Sequence, residues 1–359
     1  MIHTGYLCKG TSQEGHFLRG ACLASLGFIA GGKIFAAEGL NTAPILGASI
    51  SGSRALVGVA RGKSVKESVR KAIELSGGLD FIKAGDRVLL KPNNNANTPW
   101  PGSTNAEVVF EMVQFVREKD PSRIIVSDRS TMGLDTLKSM KESKIYDAAM
   151  DSKAEVITGE QRPYKKVNPS LAVNWPEGFS VSAILDEVDH IINLPQPKVH
   201  WITGYTMGFK NYVGLIDVPD RMKFLHRGLE WKTVGNDKKP FQPIEPISKM
   251  IPEISLAVKT SLTVMDATKS IVEGTASKGE TKDPGIIIAS RDQVAVDITG
   301  LALMKHIGAT QFIQDTPVWE QLQIRRAIEL GLGARNASMI DIRSDGVDEI
   351  DAIRKIILS

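Results

Sequence analysis

Short apolar runs that end in a polar residue, separated by capped amphipathic segments, are what most constrain this chain. Residues 55–60, 87–90, 124–126, 155–157, 191–194, 262–265, 286–289 and 339–342 are strand candidates of this kind. Between them stand Ser64-Val-Lys-Glu67 and Thr104-Asn-Ala-Glu107, two capping boxes that open helices towards Leu75 and Lys119, the first closed by Gly77-Gly78. Further helices are expected near 135–150, 246–260 (with a break at Pro252), 293–306, 318–330 and 349–358. This alternation predicts an α/β fold: a largely parallel sheet with helices on both faces, as one domain or two intimate lobes. Ligands in such sheets sit beyond the strands' C-terminal ends. Lys91, Asn93, Asp128, Asn193 and Asp266 each follow a strand candidate, so parallel strands would bring them to one rim.

The densest chemistry lies between Asn193 and Gly214, where Lys198, His200, Thr203, Thr206, Lys210 and Asn211 are spaced by Gly204, Gly208 and Gly214. Pro195 and Pro197 impose an extended path. Residues two apart on an extended segment share a side, so Lys198 and His200 project together. A helix beginning near Thr203 would put Thr203, Thr206 and Lys210 on one polar stripe, with Gly204, Gly208 and Asn211 beside it. A strand that runs through prolines into a glycine-rich, cation-bearing turn is suited to holding an anion. The bland reading keeps Lys198 and Lys210 solvated and His200 as a turn histidine; the density of the cluster favours a site.

The run Pro195-x-Pro197-Lys198-x-His200-x-x-Thr203-Gly204-x-Thr206-x-x-x-Lys210-Asn211-x-x-Gly214 resembles the central motif of the domain-of-unknown-function-362 family. Val88-Leu-Leu-Lys91-Pro92-Asn93, Leu262-Thr-Val-Met-Asp266-Ala and the segment from Gly285 to Asp297 resemble that family's other pieces, in order, so the likeness spans about Ala55 to Gly308. It implies no settled activity. Many family members carry a cysteine-rich ferredoxin-like module; here only Cys8 and Cys22 occur, and an iron–sulfur cluster usually needs four thiolates, so none is expected. The family's Gly-Pro-rich loop is Glu273-Gly274-Thr-Ala-Ser-Lys278-Gly279 here, without the proline. Separately, His200-x-x-x-Gly204-x-x-x-Gly208-x-Lys210 is similar to a segment of nickel-pincer lactate racemases, whose residues handle a nucleotide-derived nickel cofactor.

Residues 1–37 differ in kind. A weakly apolar stretch over 21–30 follows Lys9 and Arg19 and precedes small residues at Ala36-Ala37. It is too short to span a membrane and fits an export-signal core or a flexible segment. His16-Phe-Leu-Arg-Gly-Ala21 resembles a twin-arginine signal in which Glu14 and Gly15 replace the arginines. Cleavage after Ala36 or Ala37 would remove both cysteines. The expected location is exported or periplasmic, otherwise cytoplasmic; residues 50–359 are expected to form the single α/β domain. Lys plus Arg exceeds Asp plus Glu only by 44 to 41, with no long basic run, so no nucleic-acid partner is expected.

His200, Lys198 and Lys210 are therefore the candidate catalytic residues, and Lys91, Asn93, Thr203, Thr206, Asn211 and Asp266 the candidate ligand-binding ones. No metal ligands are assigned. Asp297, on an apolar stripe, must be paired or protonated; it either orients His200 or a lysine or makes a structural ion pair. His190 and His226 are read as structural. Arg221, Lys223 and Arg227 read as a solvated basic loop, with Trp231 as part of a lid. The expected ligand is a small carboxylate or phosphate, or a cofactor of unknown identity. The reading is an enzyme doing proton transfer. Its alternatives are a non-catalytic exported binding protein for an acidic metabolite, and a hydroxy-acid racemase or isomerase using a nucleotide-derived metal cofactor.

Overall fold

A computed structural model of the chain describes residues 54–131, 133–225 and 243–359. The expected export segment, with Cys8 and Cys22, and the residues His226, Arg227 and Trp231 lie outside them.

In chain order the strands are β1 (Ala55–Ala60), β2 (Arg87–Pro92), β3 (Arg123–Val126), β4 (Glu155–Val156), β5 (Tyr164–Val167), β6 (Phe179–Ser182) and β7 (His190–Leu194). After these come β8 (Lys198–His200), β9 (Gly204–Thr206), β10 (Thr260–Ala267), β11 (Ser270–Gly274), β12 (Gly279–Lys282), β13 (Ile286–Ser290) and β14 (Ile340–Asp345). Eight of them form one sheet in the order β14-β1-β13-β10-β7-β2-β3-β4. Only the two pairings of β13, with β1 and β10, are antiparallel; the other five are parallel. The protein is thus an α/β structure built on a mostly parallel sheet.

Both faces of that sheet are covered. Val88 and Leu90 of β2 enter one hydrophobic cluster with the helices Val65–Leu75 and Ala106–Arg117. Leu89, between them, enters the other, with the helices Glu245–Glu253, Gln293–His306, Leu322–Glu329 and Ile350–Leu358. Strand β13 divides the same way: Ile286 and Ile288 go to the second cluster, Ile287 and Ala289 to the first. Strands buried on both sides read as unbroken apolar runs because side chains alternate between two dry faces.

Capping differs from expectation at one helix. Ser64 accepts the Glu67 N–H at 3.2 Å, as foreseen. The helix from Ala106 is capped by Asn105, which accepts the Glu107 N–H at 2.9 Å. Thr104 instead accepts the Asn93 N–H and donates to the Leu194 carbonyl, each at 2.7 Å, tying the end of β2 to the end of β7.

The motif region is a small second layer at the C-terminal rim. Strands β8 and β9 form a hairpin in a four-stranded sheet ordered β12-β11-β8-β9. A short helical turn, Gly208–Asn211, follows, and leads into the 3-10 turn Tyr212–Leu215. The helix expected from Thr203 therefore begins only at Gly208. Among the described residues, no helix is long and apolar enough to cross a membrane.

Candidate functional site

Strand β8 sets Lys198 opposite Thr206 of β9 in the hairpin register. Both line a cavity of about 40 Å³, together with His200, Lys210, Asn211, Asn93, Asn95, Asp128, Arg129, Arg221, Val213, Gly214 and Ala276. One ordered water takes roughly 10–15 Å³ on this scale, so the cavity has room for the head of a small molecule. Lys198 and His200 thus share a side, as an extended segment requires.

Behind the cavity the strand ends are stitched together. Lys91, fully buried, donates to Asp128 Oδ1 at 2.6 Å, to the Pro92 carbonyl at 2.9 Å and to Asn211 Oδ1 at 3.3 Å. Asp128 also accepts the Arg129 N–H at 2.8 Å and, through Oδ2, the Asn94 N–H at 2.7 Å. Asn211 Nδ2 donates to Asn193 Oδ1 at 2.8 Å and to the Lys91 carbonyl at 3.1 Å. Asn193 in turn donates to the Gly208 carbonyl at 3.0 Å. Asn93 bridges forward, giving its amide N–H to Asn211 Oδ1 at 3.1 Å and taking the Lys198 ammonium on Oδ1 at 2.6 Å. These bonds satisfy polar groups that burial would otherwise leave costly.

The two cavity lysines are placed differently from Lys91. Lys198, fully buried, donates to Asn93 Oδ1 and, at 2.7 Å, to the Gly102 carbonyl, both uncharged acceptors. Burial, reinforced by the charge of Lys210, pushes its ammonium down to about 7. Burial and the nearby Arg221 charge push Lys210 down to about 8. Lys210 has no hydrogen-bond acceptor or ion-pair partner among the described residues. Arg221 is also buried, donating to the carbonyls of Ile216 at 2.8 Å, Ser130 at 3.0 Å and Arg129 at 3.2 Å; burial pulls it down to about 10. It is part of the cavity wall, not of a solvated loop. His200 Nδ1 accepts the N–H groups of Ile202 and Thr203 at 3.2 and 3.3 Å, so the neutral ring carries its proton on Nε2.

Four expected residues lie off this cavity, the first being Lys91, expected to bind ligand but committed to Asp128 behind the wall. Thr203 donates to the Tyr205 carbonyl at 2.9 Å and faces a second, smaller cavity with Ile202, Leu225, Ile247 and Ile251, which His200, Lys210 and Val213 also line. Asp266 points to the opposite face of the sheet, because it alternates with Met265, which belongs to the cluster on the motif side. Its carboxylate accepts the Asn105 N–H at 2.8 Å and the Thr268 hydroxyl at 2.5 Å. Asp297 meets neither His200 nor a lysine. It accepts the N–H groups of Gly208 and Phe209 at 2.8 and 3.2 Å, holding the start of the turn that carries Lys210 and Asn211. Gly208 must approach it closely: a β-carbon there would lie 2.6 Å from Asp297 Oδ1.

A cavity walled by two lysines and two arginines, whose one carboxylate is already bonded, has the charge to receive an anion. Among the described residues, no group of three or more His, Cys, Asp or Glu side chains is placed to hold a metal ion.

The family model described as "Domain of unknown function (DUF362)" matches residues 88–302, more than half of the chain. This chain belongs to the DUF362 family. The matched stretch holds every lining residue of the cavity in this DUF362 protein, from Asn93 to Ala276. A thylakoid-associated protein of Synechocystis sp. is 28% identical over 239 residues, covering 65% of this chain and 68% of that protein. The lactate racemase apoprotein from Thermoanaerobacterium thermosaccharolyticum is 12% identical with a TM-score of 0.40, over 58% of this chain and 49% of that one; the chain spans about half of that structure.

Sequence reading placed Asp128 at the rim of this DUF362 site and weighed Asn95 beside Asn93, but included neither; Gly214 entered only as a motif glycine, and Arg129, Val213 and Ala276 were missed. The signal for Asp128 was its position just past β3. Arg221 had little local signal: the Ile216 carbonyl is near in sequence, but those of Arg129 and Ser130 lie about ninety residues away.

His190, read as structural, bonds Asp86 at 2.9 Å and Ser261 at 3.1 Å at the other end of the strands.

Proposed function

We propose that this chain is an enzyme that binds a small carboxylate- or phosphate-bearing molecule in the Lys198–His200–Lys210 cavity and moves a proton on it. The observation that carries this reading is Lys210: a half-buried ammonium at a cavity wall beside the Arg221 charge, with no protein acceptor among the described residues. An anion in the cavity would meet that ammonium's unmet donors and its like-charged neighbour at once. Lys210 and Arg221 supply charge for the anionic head and Thr206 a hydroxyl beside it, while Asn211, its amide fully bonded, shapes the wall. The smaller apolar cavity shared by His200, Lys210 and Val213 receives a short apolar arm. Lys198, held near 7, gains or loses a proton at neutral pH, which suits a general base. His200 Nε2–H is the donor to a developing oxyanion.

Calorimetric titration with inorganic phosphate and with butyrate tests binding. Wild-type protein is expected to bind, more weakly as pH rises through about 8, and Lys210→Met is expected to weaken binding by roughly ten- to a hundredfold, the scale of a lost charged hydrogen bond. Deuterium entering butyrate or pyruvate next to the carboxyl or carbonyl carbon in D2O, followed by NMR, tests proton transfer. Equal binding by wild type and Lys210→Met, or no binding of either probe, would sink the anion reading. Binding without isotope entry would reduce it to a binding protein.

A further inference from the structure

We propose that the Lys198 amine forms an imine with the carbonyl carbon of a small 2-oxo acid held in this cavity. The inference rests on the anion-binding reading above and names the substrate class.

The geometry around Lys198 Nζ carries it. Two neutral oxygens accept from that nitrogen, Asn93 Oδ1 at 2.6 Å and the Gly102 carbonyl at 2.7 Å, and no carboxylate bonds it. A neutral amine has two N–H bonds and one lone pair. The two acceptors use both N–H bonds, and the remaining tetrahedral direction belongs to the lone pair. A third N–H, as in an ammonium, has no acceptor among the described residues. Lys198 lines the cavity, and the imine requires that a bound ligand's carbon reach Nζ along this third direction.

Lys91 shows the contrast within the same fold. It is equally buried, but Asp128 at 2.6 Å fixes it as an ion pair. The charge of Lys210 acts in the same sense as burial, disfavouring a proton on Lys198. A desolvated lysine beside a second cation is a recognised way to make an amine nucleophilic at neutral pH. Lys210 also supplies a counter-charge for the carboxylate next to the carbonyl of a 2-oxo acid.

The step balances without a redox partner. The Lys198 lone pair attacks the carbonyl carbon, and the carbonyl oxygen takes a proton as the C–O π bond opens. The nitrogen then loses a proton, the hydroxyl takes another and leaves as water, and the C=N bond forms. Amine, ketone and one proton, the one His200 supplies, become a protonated imine and water; loss of the remaining nitrogen proton gives the neutral imine. His200, which carries its proton on Nε2 at the same cavity, is the donor to that oxygen. Once protonated, the imine draws electrons from the neighbouring carbon, where a C–H or C–carboxylate bond is weakened.

The test is reductive trapping of the wild-type protein with pyruvate and cyanoborohydride, read by intact mass and peptide mapping. One reduced adduct per chain on Lys198 is expected, forming faster as pH rises through about 7, slowed by excess inorganic phosphate, and lost in Lys198→Arg. Mapping the wild type locates the adduct even if the variant does not fold. Adducts scattered over surface lysines with Lys198 unmodified, or no adduct at all, overturn the imine. Phosphate titration of the same sample separates the two readings. Phosphate bound with Lys198 unmodified leaves anion binding standing and removes the imine; neither phosphate binding nor an adduct removes both.

Discussion

Asp297 and Gly208 are joined by a buried bond in which the glycine N–H donates to the carboxylate at 2.8 Å. The bond crosses from the middle of a core helix to the turn that presents Lys210, so the core holds one wall of the cavity. Asp297→Ala would orphan two buried N–H donors, at about 1–3 kcal/mol each. Urea unfolding is expected to show that loss, and phosphate titration a weaker affinity than wild type.

The same carboxylate gives a pH signature. Burial pushes Asp297 up to about 7, against the pull of its two N–H donors. Between the unfolded value of about 4 and 7 the folded chain holds a proton that the unfolded chain has released. Stability from this group is therefore full below about 4 and lost as pH rises to about 7. Asp297→Asn should remove that slope from denaturation curves measured across the window; an unchanged slope would place it elsewhere.

Lys198 and Lys210 act in the opposite direction at higher pH. Their folded values, about 7 and about 8, lie below the unfolded value of about 10.4. Between those limits the unfolded chain binds more protons, so unliganded protein gains stability as pH rises through the window. Thermal melts of Lys210→Met should show a shallower rise, and saturating phosphate should shrink it in wild type by holding the protons on.

Breaking the Lys91–Asp128 pair from either side leaves a buried charge alone. Lys91→Met and Asp128→Asn are each expected to cost about 3–5 kcal/mol in chemical denaturation. The double variant should cost less than the sum of the two. Additive losses would mean that the ammonium and carboxylate do not depend on each other.

Gly214 packs against that pair. A β-carbon at 214 would lie 1.9 Å from Asp128 Oδ1 and 2.8 Å from Lys91 Nζ. Gly214→Ala is expected to lower stability by about 1–3 kcal/mol and to weaken phosphate binding as Asp128 shifts. An alanine variant that melts and binds like wild type would contradict this packing.

Much of the architecture was legible in local pattern. The helix Gln293–His306 and the strands of the large sheet follow from apolar runs bounded by caps and polar ends. The β8–β9 hairpin was not, and a helix from Thr203 was expected instead. Gly204 takes φ +77 there, and Phe312 packs where its β-carbon would stand, a constraint set by a residue far along the chain. Thr104 looked like a helix cap, but Leu194, ninety residues on, claims its hydroxyl. Asp266 and Asn193 were assigned to one rim correctly, yet they face opposite ways. In strands dry on both sides, no apolar–polar alternation tells the two faces apart. Within the site, the motif's charges were legible; which of them were already paired was not, because the deciding partners, Asp128 for Lys91 and Asn93 and Gly102 for Lys198, come from other segments.

Strand β13 runs against its neighbours, so the chain that leaves β10 at the upper rim also re-enters the sheet there. The β11–β12 hairpin is a detour with both feet on the same edge. Its tip contributes Ala276 to the cavity and lies against Gly102, whose carbonyl holds Lys198. A detour of this kind can lengthen, shorten or change its tip residues while the strands beneath keep their register. The cavity's lining can therefore be changed by exchanging the hairpin tip, on a scaffold that need not be refolded to accommodate it.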